Sequence, residues 1–264
     1  MTEPTRPSDQ IDTSVAHSAR VWNYWLGGKD HYPADQAAGD AYSSKYPNIV
    51  PFAGESRDFL RRTTAFLARQ GIRQFIDLGA GLPTSNNTHD VAQRISPDCR
   101  VVYVDHDPIV LLHVHALLTS TPEGATSYVQ ADMRDTEAVL TGAAKTLDMT
   151  QPIALVSNDV LGHIEDWDEA LSLVRRLLEQ LPSGSYLSLS HSTAADKEHQ
   201  AVQDEYNRSG AIPYIFREPS VTVEFFEGTD LVEPGFTSWP RWRPDATTGI
   251  LTDRAGWGGV ARIS

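Results

Sequence analysis

Phe75-Ile76-Asp77-Leu78-Gly79-Ala80-Gly81 joins an apolar run to one acidic residue and then to two glycines at alternate positions. It reads as a buried strand that ends in a tight loop before a helix. Gly79 and Gly81 permit positive φ and let a ligand lie against the backbone. Asp77 sets a carboxylate at the mouth of that loop, which suits a ligand bearing a cation or hydroxyls better than a pyrophosphate. A dinucleotide fingerprint needs a third glycine three positions on. Thr84 stands there instead, after Pro83. A strand–turn–helix corner without any ligand is the plain alternative.

Downstream, the pattern alternates strand and helix. Strands are expected at Ile72–Leu78, Arg100–Val104, Thr126–Gln130, Ile153–Ser157 and Tyr186–Ser190. Helices are expected near Thr88–Ile95, Pro108–Leu118, Trp167–Leu181 and Ala194–Arg208. Arg100–Val104 is a β-branched run of the kind buried on both faces. The alternation implies an α/β fold with a doubly wound, mostly parallel sheet. Ser220–Phe226 fits either element: Val221, Val223 and Phe225 alternate, yet Pro219-Ser220 can open a helix. Phe236–Trp239 and Trp257–Ile263 read as further strands.

Upstream lie some seventy residues of another kind. Residues 1–13 read as a flexible tail. Residues 14–70 read as an N-terminal helical cap or lid, and residues 71–264 as the α/β domain. Within the cap, Ser14–Asp30 carries Val15, Ala19, Val21, Trp22, Trp25 and Leu26 near helical spacing and stops at Gly27-Gly28. Pro33–Lys45 and Ser56–Gln70 follow as helices, the latter with Gly71 as its C-cap. Asp35, Asp40 and Glu55 read as solvated helix faces.

The chain has 264 residues with 22 basic and 35 acidic side chains, a net charge of −13. Such a surface repels phosphate backbones, so nucleic acid is not an expected partner. Arg241, Arg243 and Arg254 are the only local basic candidates. One cysteine, Cys99, allows no internal disulfide and fits a reducing cytoplasm. No apolar run has the length of a membrane span or signal segment, so a soluble cytoplasmic protein is expected.

Three acids fall at or after consecutive strand ends. Asp77 ends the first strand, Asp105 the second, and Asp132 follows the third. In a doubly wound sheet these ends share one edge, where ligands bind. Asp105 can accept both hydroxyls of a ribose. Asp132 can accept from an adenine amino group, with Met133 against the ring, and Asp77 can reach an amino group. Asp107, before Pro108, is kept as a helix cap. The set suits S-adenosylmethionine, which combines ribose, adenine, an amino group and a sulfonium. After the fourth strand, Asn158, Asp159 and His163 lie at the same edge, and His191 follows the fifth. His163 and His191 can act as general bases near neutral pH, with Asp159 as a third catalytic candidate. The plainer alternative has Asn158 and Asp159 tying down the loop. His113 and His115 are two apart on a helix and face different ways. No Cys/His cluster has zinc spacing, so no metal is expected.

Several segments together resemble the actinobacterial S-adenosyl methyltransferase family, long catalogued as a domain of unknown function. They are Ser18–Asp30 (SARVWNYWLGGKD), Gly71–Thr84, Val102–Val110, Leu187–His191 and Leu231–Gly235. The resemblance implies a Rossmann-like class I methyltransferase fold, with seven strands of which the last is antiparallel, plus an N-terminal helical cap. It implies S-adenosylmethionine as cofactor, S-adenosylhomocysteine as product, and no particular acceptor. Matches at Arg20, Asn23, Tyr24 and Gly27–Asp30 imply that this segment folds over the cofactor and helps form the acceptor pocket; a structural brace with Gly-Gly as its C-cap is the plain alternative. Tyr24, Gly28 and His106 thereby join Asp77, Gly79, Gly81, Asp105, Asp132, Met133 and Asn158 as expected cofactor residues. Family members often carry Leu-His-Phe after strand four. Here Ser157-Asn158-Asp159 and Gly162-His163 occupy that stretch.

The expected function is methyl transfer to a small-molecule acceptor. A cofactor-binding sensor without catalysis and a nicotinamide-dependent oxidoreductase are the alternatives. The missing third glycine disfavours the latter.

Overall fold

The computed structural model describes residues 12–107, 110, 119–209, 212–246, 248 and 255–264. Helices α1 (Ser18–Trp25), α2 (Pro33–Lys45) and α3 (Ile49–Arg69) come first. Then follow β1 (Gln74–Leu78), α4 (Thr88–Ile95), β2 (Arg100–Asp105), β3 (Ala125–Gln130) and α5 (Thr136–Ala143). Next are β4 (Ala154–Asn158), α6 (Trp167–Leu178), β5 (Tyr186–Ser192), α7 (Lys197–Asn207) and a short α8 (Pro219–Thr222). The chain closes with β6 (Asp230–Leu231), β7 (Thr237–Ser238) and β8 (Gly256–Arg262). The expected helix over Pro108–Leu118, with His113 and His115, lies outside the described residues apart from Val110, and so does Arg254.

The sheet order is β3-β2-β1-β4-β5-β8-β6, with β7 also paired to β8. Strands β1 to β5 run parallel, and β8 is antiparallel to β5. This is the expected class I arrangement, except that its outermost strand is divided. β6 and β7 both pair antiparallel with β8, and the cis Glu233-Pro234 bond lies between them. The expected strand at Phe236–Trp239 is therefore shorter, and Trp239–Arg241 already forms a 3₁₀ turn. Ser220–Phe226 is helical throughout, opened by Pro219 at the first helical position. Helix α5 was not apparent in the sequence, where its small residues blur the apolar stripe.

Strand side chains divide cleanly by parity. Ile76, Leu78, Val102, Val104, Leu155 and Leu187 enter one core with Val139 of α5 and Leu171, Val174 and Leu177 of α6. Phe75, Val101, Tyr103, Val156 and Val260 enter the other with Phe59 and Leu67 of α3 and Ala92 of α4. Helix α3 begins seven residues earlier than expected and packs directly on the sheet. Where the helical cap looks separate in sequence, α3 fills one face of the α/β core. Glycines in β8 permit this contact: a Cβ on Gly258 would lie 2.6 Å from the Phe59 ring, and one on Gly256 2.1 Å from Trp239. On the same helix Arg62 is buried, donating to the carbonyls of Trp239 at 2.7 Å and Trp242 at 3.0 Å.

Helix α1 is shorter than the expected Ser14–Asp30 stretch and is clamped to α2. Asp35 is wholly buried and accepts from Arg20 Nε at 3.0 Å, His17 N–H at 2.9 Å and Tyr32 N–H at 2.8 Å. It is thus a buried pairing residue rather than a solvated helix face. Val21 and Trp25 of α1 join the core formed with Tyr42 and Phe52.

Candidate functional site

The parallel register brings the carboxyl ends of β1, β2 and β4 together: Asp77 lies opposite Tyr103 and Val156, and Leu78 opposite Val104 and Ser157. At this edge is a cavity of about 230 Å³. Its walls include Gly79, Gly81, Asp105, His106, Met133 and Asn158, and α1 closes one side with Ser18, Ala19 and Trp22. A larger groove of about 650 Å³ runs between α2 and α7, past Lys45 and Glu205, away from the strand ends.

The loop after β1 is held by its own backbone. Gly79 and Gly81 both sit at φ +62°, the left-handed region that glycine tolerates best. Gly79 N–H donates to Val104 O at 2.8 Å, and a Cβ there would fall 2.2 Å from Val160 Cγ2. At Gly81 a Cβ would meet only Ala19, at 3.8 Å. Gly79 is thus constrained by φ and by contact with Val160, and Gly81 by φ alone.

Asp105 is the last residue of β2 and is 9% exposed. Its Oδ2 accepts from Gly81 N–H at 2.8 Å and its Oδ1 from Asp107 N–H at 3.0 Å. Each oxygen keeps a further lone pair. Asp107, expected only as a cap, has Oδ2 3.3 Å from His17 Nδ1, which links the start of α1 to the end of β2. Asp77 is buried and accepts from Thr88 Oγ1 at 2.6 Å. Burial raises its pKa to about 6, opposed by the Thr88 bond and the attraction of Arg57.

Arg57 was not anticipated as a site residue. It lies on α3 and lines the same cavity. Its Nε and Nη2 are buried and have no hydrogen-bond partner among the described residues. Burial lowers its pKa, and Asp77 opposes that most strongly. The sequence did carry a signal: Ala53, Leu60 and Thr64 recur at helical spacing on the buried face of α3, and Arg57, half-buried, falls in the same register.

Asp77 is not itself part of the cavity wall, and three further expected cofactor residues stand elsewhere. Asp132 is engaged by Arg134 through Nε at 3.0 Å and Nη2 at 2.7 Å, which lowers its pKa, and it is not part of the cavity wall. Tyr24 donates to Asp40 at 2.6 Å and packs edge-on to His31. Gly28 serves the turn after α1: a Cβ there would lie 2.4 Å from the Asn23 amide, whose Oδ1 accepts from Asp30 N–H at 3.0 Å. Gly28 and Asp30 of the Gly-Gly-Lys-Asp segment thus both meet Asn23 in this turn.

The three catalytic candidates are distinct in kind. His163 has Nδ1 2.8 Å from Pro213 O. A carbonyl only accepts, so Nδ1 carries the proton and Nε2 keeps its lone pair. Burial lowers this histidine's pKa, which keeps it neutral. Asp159, at φ +56°, accepts from Ser192 N–H at 2.5 Å, Ser192 Oγ at 2.8 Å and Tyr214 Oη at 2.5 Å. His191 lies within β5, not after it, and is fully buried. Arg217 can only donate, so Nε2, 3.1 Å away, accepts; Nδ1–H then donates to Tyr214 Oη at 3.0 Å. Both ring nitrogens are occupied, and burial together with Arg217 pushes the pKa down to about 3. Asn158 bridges Ser56 and Ser190 at 3.0 and 2.9 Å beside the cavity. Among the described residues, no group of three or more His, Cys, Asp or Glu side chains could hold a metal. No described helix is long and apolar enough to cross a membrane.

A family profile described as S-adenosyl methyltransferase matches residues 4–264. A crystal structure of a DUF574 family protein from Streptomyces avermitilis is similar at 48% identity and a TM-score of 0.92, covering 97% of this chain and all of that one. A proposed methyltransferase from Thermobifida fusca is similar at 35% identity and a TM-score of 0.87, covering 99% of this chain and all of that one. The magnesium protoporphyrin IX methyltransferase of Synechocystis, solved with S-adenosylhomocysteine, shares the fold alone: 11% identity, TM-score 0.52, 92% of this chain and 93% of that one. No curated protein sequence matches the chain. The profile spans the N-terminal helices as well as the sheet, and the two close structures align over nearly every residue. The chain belongs to the S-adenosyl methyltransferase family, a class I methyltransferase that takes its methyl group from S-adenosylmethionine.

Proposed function

We propose that the acceptor is a small molecule, held under α1 next to the strand-end cavity, and that His163 removes its proton. The observation that carries this reading is the position of His163 and Asp159. Both line the strand-end cavity and also a second compartment behind it, walled by Trp22 and Trp25 of α1. A compartment of this small size, widened by movement of α1, limits the acceptor to a small molecule, and the net charge of −13 argues against a nucleic acid. The same charge and the single buried Cys99 are consistent with work in the cytoplasm.

S-adenosylmethionine supplies a methyl group made reactive by its sulfonium, and positioning of the acceptor lowers the barrier further. The residues fit its parts. Arg57 has two buried nitrogens without partners, which suits a carboxylate. Asp77 suits the neighbouring ammonium, and Asp105 keeps a lone pair on each oxygen for ribose hydroxyls. Met133 and His106 offer contacts for the base. His191 is better suited to bracing Tyr214 and Asp159 than to accepting a proton.

The acceptor size is testable with labelled S-adenosylmethionine and a fractionated cell extract. Label is expected in a new small-molecule product, separated chromatographically from S-adenosylmethionine itself, that passes a membrane holding back proteins and nucleic acids. Transfer confined to retained protein or nucleic acid overturns the small-molecule assignment.

His163 gives a pH signature. Its lowered pKa keeps it neutral through pH 7, so its loss as a base comes only as pH falls below the ordinary imidazole value of about 6.5. The wild-type rate is expected to be flat above that value and to fall below it. His163→Phe is expected to lose about 10²–10³-fold in kcat, as for a general base, and the acid limb with it. An unchanged limb in that variant removes His163 from proton transfer.

A further inference from the structure

We propose that the compartment behind His163 takes a planar, uncharged aromatic acceptor, and that His199 selects it by hydrogen-bonding to a polar substituent remote from the methylated group. The inference rests on the small-molecule reading above and names the class of molecule.

His199, on α7, is 1% exposed, and among the described residues neither Nδ1 nor Nε2 has a hydrogen-bond partner. Its ring lies flat on Tyr46, with centroids 4.3 Å apart and planes 4° from parallel. The edges of Phe52 and Phe216 close on it at 4.8 and 4.7 Å. Burial drives its pKa down to about 4, so it stands there as a neutral imidazole, with one donor and one acceptor both unused. Leaving such groups unmet is costly, and buried polar atoms in native proteins are generally paired. Gln203 beside it is already bonded, to Tyr42 at 2.9 Å and Asn207 at 2.8 Å.

The other walls define what can meet His199. They include Trp22, Trp25, Phe52 and Phe216, and among the described residues no Lys or Arg lines them. A phosphorylated or sulfonated acceptor would find no countercharge. The one carboxylate, on Asp159, is taken up by Ser192 and Tyr214. Flat aromatic walls favour a flat aromatic occupant. The free volume is about 40 Å³, whereas an apolar cavity known to take up benzene measures about 150 Å³. An occupant must therefore displace the α1 wall, where Trp22 and Trp25 report on it.

The test uses the full chain with S-adenosylhomocysteine bound, and 2-naphthol, 2,6-dihydroxynaphthalene and naphthalene-2-sulfonate as probes. Binding is read by tryptophan fluorescence and calorimetry. The second hydroxyl is expected to tighten binding at least tenfold and the sulfonate to weaken it tenfold, both relative to 2-naphthol (each about 1.4 kcal/mol). His199→Phe is expected to keep wild-type affinity for S-adenosylhomocysteine and to bind the two hydroxylated probes within twofold of each other. His199→Gln, which restores a donor and an acceptor, is expected to recover part of the preference. If the wild type treats all three probes alike, or if His199→Phe keeps the tenfold preference, His199 holds only a water and the inference fails. If macromolecules rather than small molecules take the label in the extract experiment, the reading beneath it fails instead.

Discussion

Replacing Asp35 by Ala is expected to lower stability by about 3–5 kcal/mol, the range for breaking a buried ion pair from one side. Asp35 and Arg20 are 0% and 2% exposed, and their ion pair measures 3.0 Å. Asp35 also accepts from the backbones of His17 and Tyr32, so one substitution strips three donors of their acceptor. Arg20 keeps only the carbonyls of Asp12 and Val15. Asp35→Asn should fare little better, because one amide edge then presents N–H to N–H. Urea unfolding measures the loss as a lower midpoint at unchanged slope. A loss below about 1 kcal/mol would mean that the pair is not the clamp of α1. The same variant separates a lid from a brace. Ser18, Ala19 and Trp22 wall the strand-end cavity, so loosening α1 should also weaken S-adenosylhomocysteine. Unchanged affinity in a destabilised protein makes α1 a brace.

Asp35 shows where reading a sequence stops. Its solvated appearance rests on a helix with little amphipathicity, and its partner Arg20 lies on another helix, 15 residues away. The strands were far more legible. Their parity is set by two buried faces, and each of β1 to β5 falls within two residues of its expected span at either end. The divided β6 and β7 carry two residues each, too few for any periodicity. At the site, residues tied to backbone geometry were readable: Gly79, Gly81 and Asp105 lie together because a strand end and a loop place them there. Side chains whose role depends on what else is within reach were not. Asp132 faces Arg134 because the two are neighbours in sequence, a competition the strand-end pattern ignores. His191 resembles a base until Arg217, 26 residues on, meets its Nε2.

Arg57→Met is expected to weaken S-adenosylhomocysteine about 100-fold, or about 3 kcal/mol, the scale of one or two charge-assisted hydrogen bonds. Two arginines of α3 make the contrast. Arg62 has its guanidinium fully engaged for a buried arginine, with two carbonyls at 3.0 and 2.7 Å. Arg57, five residues earlier, has Nε and Nη2 buried and unmet. A protein gains nothing from the second arrangement unless something arrives to complete it. Asp77 is no substitute, since its carboxylate is bonded to Thr88 and burial holds its pKa at about 6. An amino acid group, carboxylate to Arg57 and ammonium to Asp77, satisfies both at once. The decisive control is 5′-methylthioadenosine, which shares the nucleoside and sulfur but lacks that group. Its affinity should be the same in Arg57→Met and wild type, so that the 100-fold loss belongs to the carboxylate. Arg57→Lys should fall between, because an ammonium keeps the charge and loses the two-pronged geometry. If Arg57→Met weakens both ligands equally, Arg57 shapes the cavity without reading the amino acid. If it weakens neither, the carboxylate lies elsewhere and the unmet guanidinium needs another partner.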